Sequence, residues 1–587
     1  MEKWIFILCS CFLQLPLTAQ FQHLDFMGAG HDHQITVTTS SASTATGQKT
    51  VDGFPIENQD QLKDASRFLA QATFGADMAT IRMTAAMGYE AWLDEQFSLP
   101  QPSILQEMMI HGPLYDEVED PASDFLAKTM FRTSWLTHNL TSPDLLRQRM
   151  AFIWSQIMVI NDKSDFFEDV GQTLGNYYDM LGGNAFENYQ KLLTDVTLSP
   201  AMGSFLSHYN NPKADPSQNI HPDENYAREI MQLFSIGLWE LNQNGTRKYD
   251  ANGQFIPTYT NADIKEFAQV FTGLGDGLSD GVFGIHPFES EKVYQIMVTP
   301  MKMYEDQHDT SEKHLLNGVV LPAGQSGMED INQTMAHLVN HPNTAPFISK
   351  SLIRFMTTSN PSGSYVSDVA AVFNPSEPNN LQEVVRAILL HPEARECNIS
   401  ETYTFGKLRE PMVRYMNFLK AFQLQPNDSG DFLSEMFCLE TNTGQVPLAA
   451  PSVFNYFLPE YTPQGPIGQN YMVAPEFQIL NSTNAIGVVN EADLRTVKRT
   501  YIEDICLFEE EPDGGSEYEM YYPEVMSLTS DPTALIDYLD ILLANGLLES
   551  DTKAIINDAV SQLNDADERL QMALYLILIS PDYAILK

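Results

Sequence analysis

Basic residues are scarce in this chain: 33 Lys and Arg stand against 77 Asp and Glu, a formal net charge of -44 at pH 7. Nucleic acid is held by clustered Lys and Arg. No such cluster occurs, so no nucleic acid partner is expected. The same imbalance disfavours anionic membrane surfaces and suits a solvated protein in saline or extracellular surroundings. Cysteine is nearly absent, and beyond the first residues only Cys397, Cys438 and Cys506 remain. Their spacing matches no zinc motif, and an odd number allows one disulfide and a free thiol. Buried small side chains are the simplest reading. Standard catalytic signatures are also missing: there is no HExxH, no GxSxG, no GxxxxGK[ST] and no GxGxxG after a strand. Gly324-Gln325-Ser326-Gly327 is no nucleophile elbow, since its second glycine comes one residue too early. Lipase-type, nucleotide-hydrolysing and dinucleotide chemistry therefore lose support, and no motif names a cofactor.

What is present first is an export signal. Lys3 supplies a positive start, Ile5 to Leu13 an apolar stretch, and Leu17-Thr18-Ala19 a small-residue cleavage site before Gln20. The apolar stretch falls short of the roughly 20 residues that cross a bilayer, and no later stretch is long enough. Acylation at Cys9 or Cys11 is the weaker alternative, because no small residues of a lipobox precede either. The expected location is periplasmic or extracellular. Residues 20–59 are rich in Ser, Thr and Gly without apolar periodicity and read as a tether.

From Asp60 the pattern is helical. Asp77 caps one helix that Gly88 stops, Ser142-Pro143-Asp144 opens a long one, and Thr260 with Asp263 resembles a capping box. Further helices are expected over Phe186 to Leu198, Asn225 to Leu241, Asp330 to Val339, Ala345 to Thr357, Leu381 to Leu390 and Arg409 to Phe422. The Ser-Pro and His-Pro steps at 199, 341, 391 and 580 read as stops and new N-caps. That makes His341 and His391 caps before ligands. Phe283 to Ala323 differs: the short apolar runs Val293 to Val298 and Leu315 to Leu321 predict a small hairpin or two. The expected fold is mainly α, a large multi-helix domain with a small β-hairpin excursion. Its divisions are a main helical domain over 60–490 and a helical C-terminal segment or subdomain over 491–587. The acidic run Glu509 to Gly515 offers carboxylates for calcium but lacks EF-hand spacing, and reads as a solvated loop.

The densest polar segment is His221-Pro222-Asp223-Glu224-Asn225-Tyr226-Ala227-Arg228-Glu229. At helical spacing His221, Glu224, Asn225, Arg228 and Gln232 share a sector, with Tyr226, Ile230, Leu233 and Phe234 opposite. Such a face is ordinarily solvated, yet its mixture of His, Asn, Arg and Glu is richer than a Lys/Glu surface. A second cluster, His308-Asp309 with Lys313, lies on a loop. Together the clusters predict a polar pocket. Glu224 or Glu229 would be the general acid/base and His221 and His308 metal ligands or proton shuttles. Asn225, Arg228, Asp309 and Lys313 would bind substrate, with Arg228 and Lys313 on an anionic group. If catalytic, the class is hydrolase-like. The rival reading is a non-catalytic binding or assembly protein in which the same residues form a buried network.

Taken in order, several motifs resemble one family: Arg67-Phe68-Leu69-Ala70-Gln71-Ala72-Thr73-Phe74-Gly75, the His221 to Phe234 segment, Thr260 to Leu274, His308-Asp309 with Lys313, Pro451 to Phe477, and Leu574 to Tyr583. This is the bacterial family called domain of unknown function 1800. The resemblance covers roughly Asp60 onward. It implies an exported, mainly helical protein and an exported sulfatase- or phosphatase-like partner, whose genes often neighbour the family's. It implies no activity. Where many members carry Trp-His-x-His, this chain has Trp154-Ser155-Gln156-Ile157, so a metal centre built on those histidines is not expected here.

Overall fold

Short polar residues and glycines end the helices close to where their side chains allow. Asp77 accepts a hydrogen bond from Thr80 N to start Met78–Met87, which stops at Gly88 with φ 85°. The Asp263 carboxylate accepts from Thr260 N at the start of Asn261–Val270. His391 caps Pro392–Arg395 through Nδ1, which accepts from Glu393 N.

The computed structural model describes Thr50–Val51, Phe54–Pro55 and residues 59–587 apart from 116–122, 164–166, 168–170, 286, 288–291, 375–376, 397–404, 425–435, 497–519 and 521. The leader, Cys397, Cys506 and the acidic run at 509–515 lie outside the described residues. In the tether Thr50–Val51, its partner strand Phe54–Pro55 and the helix start at Gln59 are described. Cys438 falls in the Phe437–Thr443 helix.

The fold is mainly α, from Gln59–Ala72 to Pro581–Ala584, and each described strand is two residues long in an antiparallel pair. Leu274–Gly275 pairs with Lys302–Met303, and Lys313–His314 with Val320–Leu321. Lys407–Leu408 pairs with Ile585–Leu586 near the C-terminus. One continuous apolar cluster runs from Ala65 to Tyr583. Phe74 meets Trp135 and Phe152 at ring separations of 5.6 and 5.3 Å. Fully burying such a Phe contributes roughly 1.5–3 kcal/mol. The C-terminal helices fasten to the first: Ser66 Oγ donates to Ile541 O (2.6 Å) and accepts from Asn545 Nδ2 (2.8 Å).

Two expected elements are corrected. The helix expected over Asn225 to Leu241 ends at Gln232. Asn343 takes over the backbone there: Nδ2 donates to Ile236 O and Trp239 O, and Oδ1 accepts from Leu241 N. The chain then doubles back through the bridges Trp239–Pro257, Leu241–Arg247 and Tyr249–Phe255. Gly237, at φ 71°, makes the exit; a Cβ there would sit 2.7 Å from the Phe347 ring. The second correction is Val293–Val298, a helix that buries Ile296 and Met297. A short apolar run cannot be assigned by periodicity alone. The other run does contain a hairpin strand, Val320–Leu321, preceded by a 3-10 turn at Leu316–Gly318.

Candidate functional site

The first polar segment is shaped by an Asx turn. Asp223 N donates to Asn211 Oδ1 (2.9 Å), and the Asp223 carboxylate accepts from Asn225 N (2.8 Å), releasing the chain into Asn225–Gln232. The helix buries Tyr226, Ala227, Glu229, Ile230 and Met231. Tyr226 stacks on buried His208 at 3.8 Å and shares a 2.7 Å hydrogen bond with Thr197 Oγ1. His208 Nε2 donates to Thr197 O. Burial pushes that imidazole down to about 4.

The helix starts after His221, which lies exposed on the preceding loop; Asn225 is exposed as well. Glu224 and Arg228 are both more than one-third exposed and face each other at 3.4 Å, an ordinary i, i+4 pair. Glu229 is different. It is 5% exposed, and its Oε2 has no hydrogen-bond partner among the described residues. Burial raises its carboxyl above the usual range against the opposing pull of Arg228.

The second polar segment closes on a residue the sequence reading missed. His308, Lys313 and Asp330 are each at most 1% exposed. His308 Nε2 donates to Asp330 Oδ2 (3.0 Å), and Lys313 Nζ donates to the same oxygen (2.6 Å). Gln325 Nε2 donates to Asp330 Oδ1 (2.6 Å). Lys313 Nζ also donates to Asp309 O and Ser311 O. His308 Nδ1 lies 2.9 Å from Thr272 O. Both ring nitrogens thus face polar protein atoms. Burial alone would raise the Asp330 carboxyl, but bonds from His308, Lys313 and Gln325 hold it below its ordinary value. The Asp309 carboxylate is held locally by Ser311 N and Oγ.

The two segments are joined by the backbone. Asn211 accepts from Asp223 N through its side chain and from Gly273 N through its carbonyl. Gly273, at φ 85°, carries the turn beneath His308; a Cβ would lie 2.8 Å from Tyr304 O and 2.9 Å from His308 N. Among the described residues, no hydrogen bond or ion pair links His221, Glu224, Asn225, Arg228 or Glu229 to His308, Asp309 or Lys313. Nor do three His, Cys, Asp or Glu side chains converge as metal donors among them.

One family model matches this chain across residues 67–585, a span that includes both polar segments. The chain belongs to the DUF1800 family, proteins of unknown function. No curated protein and no solved structure matches it. After Trp154, Ser155 Oγ donates to Phe152 O and Gln156 Oε1 accepts from Asn455 Nδ2. No described helix is long and apolar enough to cross a membrane.

A second buried charged group draws on four distant stretches of this DUF1800 chain. Arg149 Nη2 donates to Phe355 O, as does Lys407 Nζ. Lys407 also pairs with Glu476 at 2.8 Å, Arg149 lies 3.8 Å from Glu410, and Gln445 Nε2 donates to Glu410 Oε2. All five residues are at most 2% exposed. The sequence signal for both groups was a charge in an apolar register. Asp330 shares the inward face of Gly327–Val339 with Ile331, Thr334 and Leu338, and Arg149 sits in a helix buried along its length.

Proposed function

We propose that this is an exported, envelope-associated binding or assembly protein whose family motifs build a helical frame instead of a reaction centre. One observation carries the reading: His308 and Lys313, the most chemically capable residues of their motif, both point inward onto one Asp330 oxygen. A buried cation–carboxylate group is costly to break and specifies how the segments meet. The leader-like start and strong acidity support export. The partner proposed, on the family resemblance, is an exported sulfatase- or phosphatase-like protein. The test pairs co-purification of such a protein with a glycan and ester hydrolysis screen on the mature chain. Capture without turnover agrees with assembly; turnover abolished by a substitution in the first polar segment contradicts it.

A hydrolytic reading has one observation in its favour. Glu229 is a buried carboxyl with a raised proton affinity and an unpartnered oxygen beside Arg228. A general acid needs such a group. Under that reading Glu229→Gln abolishes turnover of a screened substrate and leaves the fold intact.

A further inference from the structure

In a chain of net charge -44, three cations gather around a single carboxylate at the surface. Lys350 and Arg354 stand four residues apart on the Thr344–Met356 helix. Arg247 comes from the stretch that doubles back after Gly237, and Glu460 from the turn in which Tyr461 N donates to Leu458 O. Arg354 Nη1 donates to Glu460 Oε1 at 2.8 Å. Lys350 Nζ and Arg247 Nη2 stop at 4.0 and 3.7 Å from the same carboxylate. Both distances are too long for a hydrogen bond.

Local structure explains only part of this grouping. Arg354 occupies the last turn of its helix, where a cation suits the dipole, and its Nε donates to Ser359 O (3.1 Å). Lys350 has one long bond, to Gly245 O at 3.3 Å. Its i, i+4 spacing from Arg354 brings like charges together. Burial lowers the Lys350 ammonium to about 8, with Arg354 and Arg247 acting in the same direction and Glu460 opposing. Burial alone would raise the Glu460 carboxyl, but Arg354, Lys350 and Arg247 hold it below its ordinary value. Three cations against one carboxylate leave an excess of two positive charges among the described residues of the cluster. The donors are reachable: the Arg247 and Lys350 side chains are 35% and 27% exposed. Glu460, at 53%, is the most exposed of the four.

We propose that Arg247, Lys350 and Arg354 form a site for a dianionic phosphoryl or sulfuryl group, with Glu460 holding the place until the ligand displaces it. A dianion matches the excess of two charges. Its several acceptor oxygens suit donors that arrive from separate elements, and the Arg247 fork can give paired N–H bonds. The exposed Tyr249 ring lies 5.0 Å from Phe255, over which Arg247 sits at 4.8 Å, so a sugar carrying such a group has a ring to rest on. The site shares no residue with the two polar segments and is independent of the assembly reading.

The test is calorimetric titration of the full chain with inorganic phosphate, glucose 6-phosphate and glucose, at low ionic strength where exposed charges are least screened. Saturable one-site binding of a phosphate species is expected, with glucose silent. Arg247→Gln should weaken it by about tenfold. Glu460→Gln should tighten it by about fivefold, because a competing negative charge is removed. Tighter binding of glucose 6-phosphate assigns the site to a sugar-borne group, and equal or weaker binding assigns it to the free ion; either supports the site. Absence of saturable binding by both phosphate species overturns the proposal. So does glucose binding as well as its phosphate, unchanged affinity in a folded Arg247→Gln variant, or no gain of affinity in Glu460→Gln.

Discussion

Lys313 Nζ and His308 Nε2 converge on a single oxygen of Asp330, at 2.6 and 3.0 Å, with all three side chains sealed from solvent. The hairpin that carries Lys313 and the loop that carries His308 are thereby tied to Gly327–Val339, a helix otherwise docked mainly through apolar residues. A residue that looks reactive in sequence becomes a rivet when its polar atoms are all satisfied inside.

Lys313→Met should destabilise the chain by roughly 1–3 kcal/mol, within the range for losing a charged hydrogen bond. The methionine keeps the buried stem, and His308 and Gln325 still satisfy Asp330. The expected result in a urea titration is a lower midpoint with an unchanged slope.

Gly273→Ala tests the backbone beneath His308. Its φ of 85° disfavours a side chain, and a Cβ would approach Tyr304 O and His308 N within 3 Å. Strain at such a site costs about 1–3 kcal/mol. The melting temperature should fall, and the His308 ring protons should shift in NMR spectra.

Acid should act in stages. The buried His208 imidazole is held at about 4 in the fold and returns to roughly 6.5 when unfolded. Its contribution is complete above the unfolded value and declines as pH drops from there toward 4. Asp330 is depressed, so its contribution is present above the ordinary carboxylate value and disappears as pH falls through its lower folded one. Melting temperature should begin to fall below about pH 6.5, with Asp330 adding loss only under stronger acid. His208→Gln should flatten the first stage only in part, since half-buried His341 is also pushed to about 4.

Glu229 has the opposite sign. Its folded proton affinity is raised, so the ionised side chain weakens the fold as pH climbs past the unfolded carboxyl value. Glu229→Gln should match or exceed the parent melting temperature at pH 7, and the gain should vanish below about pH 4. A lower melting temperature at pH 7 would show that the carboxylate has a structural partner.

Local chemistry made much of this fold legible. Asp77, Gly88, Thr260 with Asp263, and His391 mark helix ends through bonds to residues two to four positions away, and such bonds are visible in sequence. The Asn225 helix was overextended because its end depends on Asn343, a distant residue that replaces the helical hydrogen bonds. Val293–Val298 has the composition of a strand, and only its packing makes it helical. At the candidate site, His308 and Lys313 were visible as a motif. Asp330 showed only as a charge in an apolar register, and its pairing did not show, because contact across a folded loop leaves no spacing rule. The pairing of Arg149, Lys407, Glu410 and Glu476 was hidden for the same reason.

The central claim is most directly tested by urea unfolding of the full chain carrying Asp330→Asn at pH 7. Asparagine keeps the shape but leaves the buried Lys313 ammonium without its counter-charge, and breaking such a pair costs roughly 3–5 kcal/mol. The expected result is a loss of that size, exceeding the loss in Lys313→Met. An unfolding midpoint equal to the parent's would contradict a structural role for the His308, Lys313 and Asp330 group.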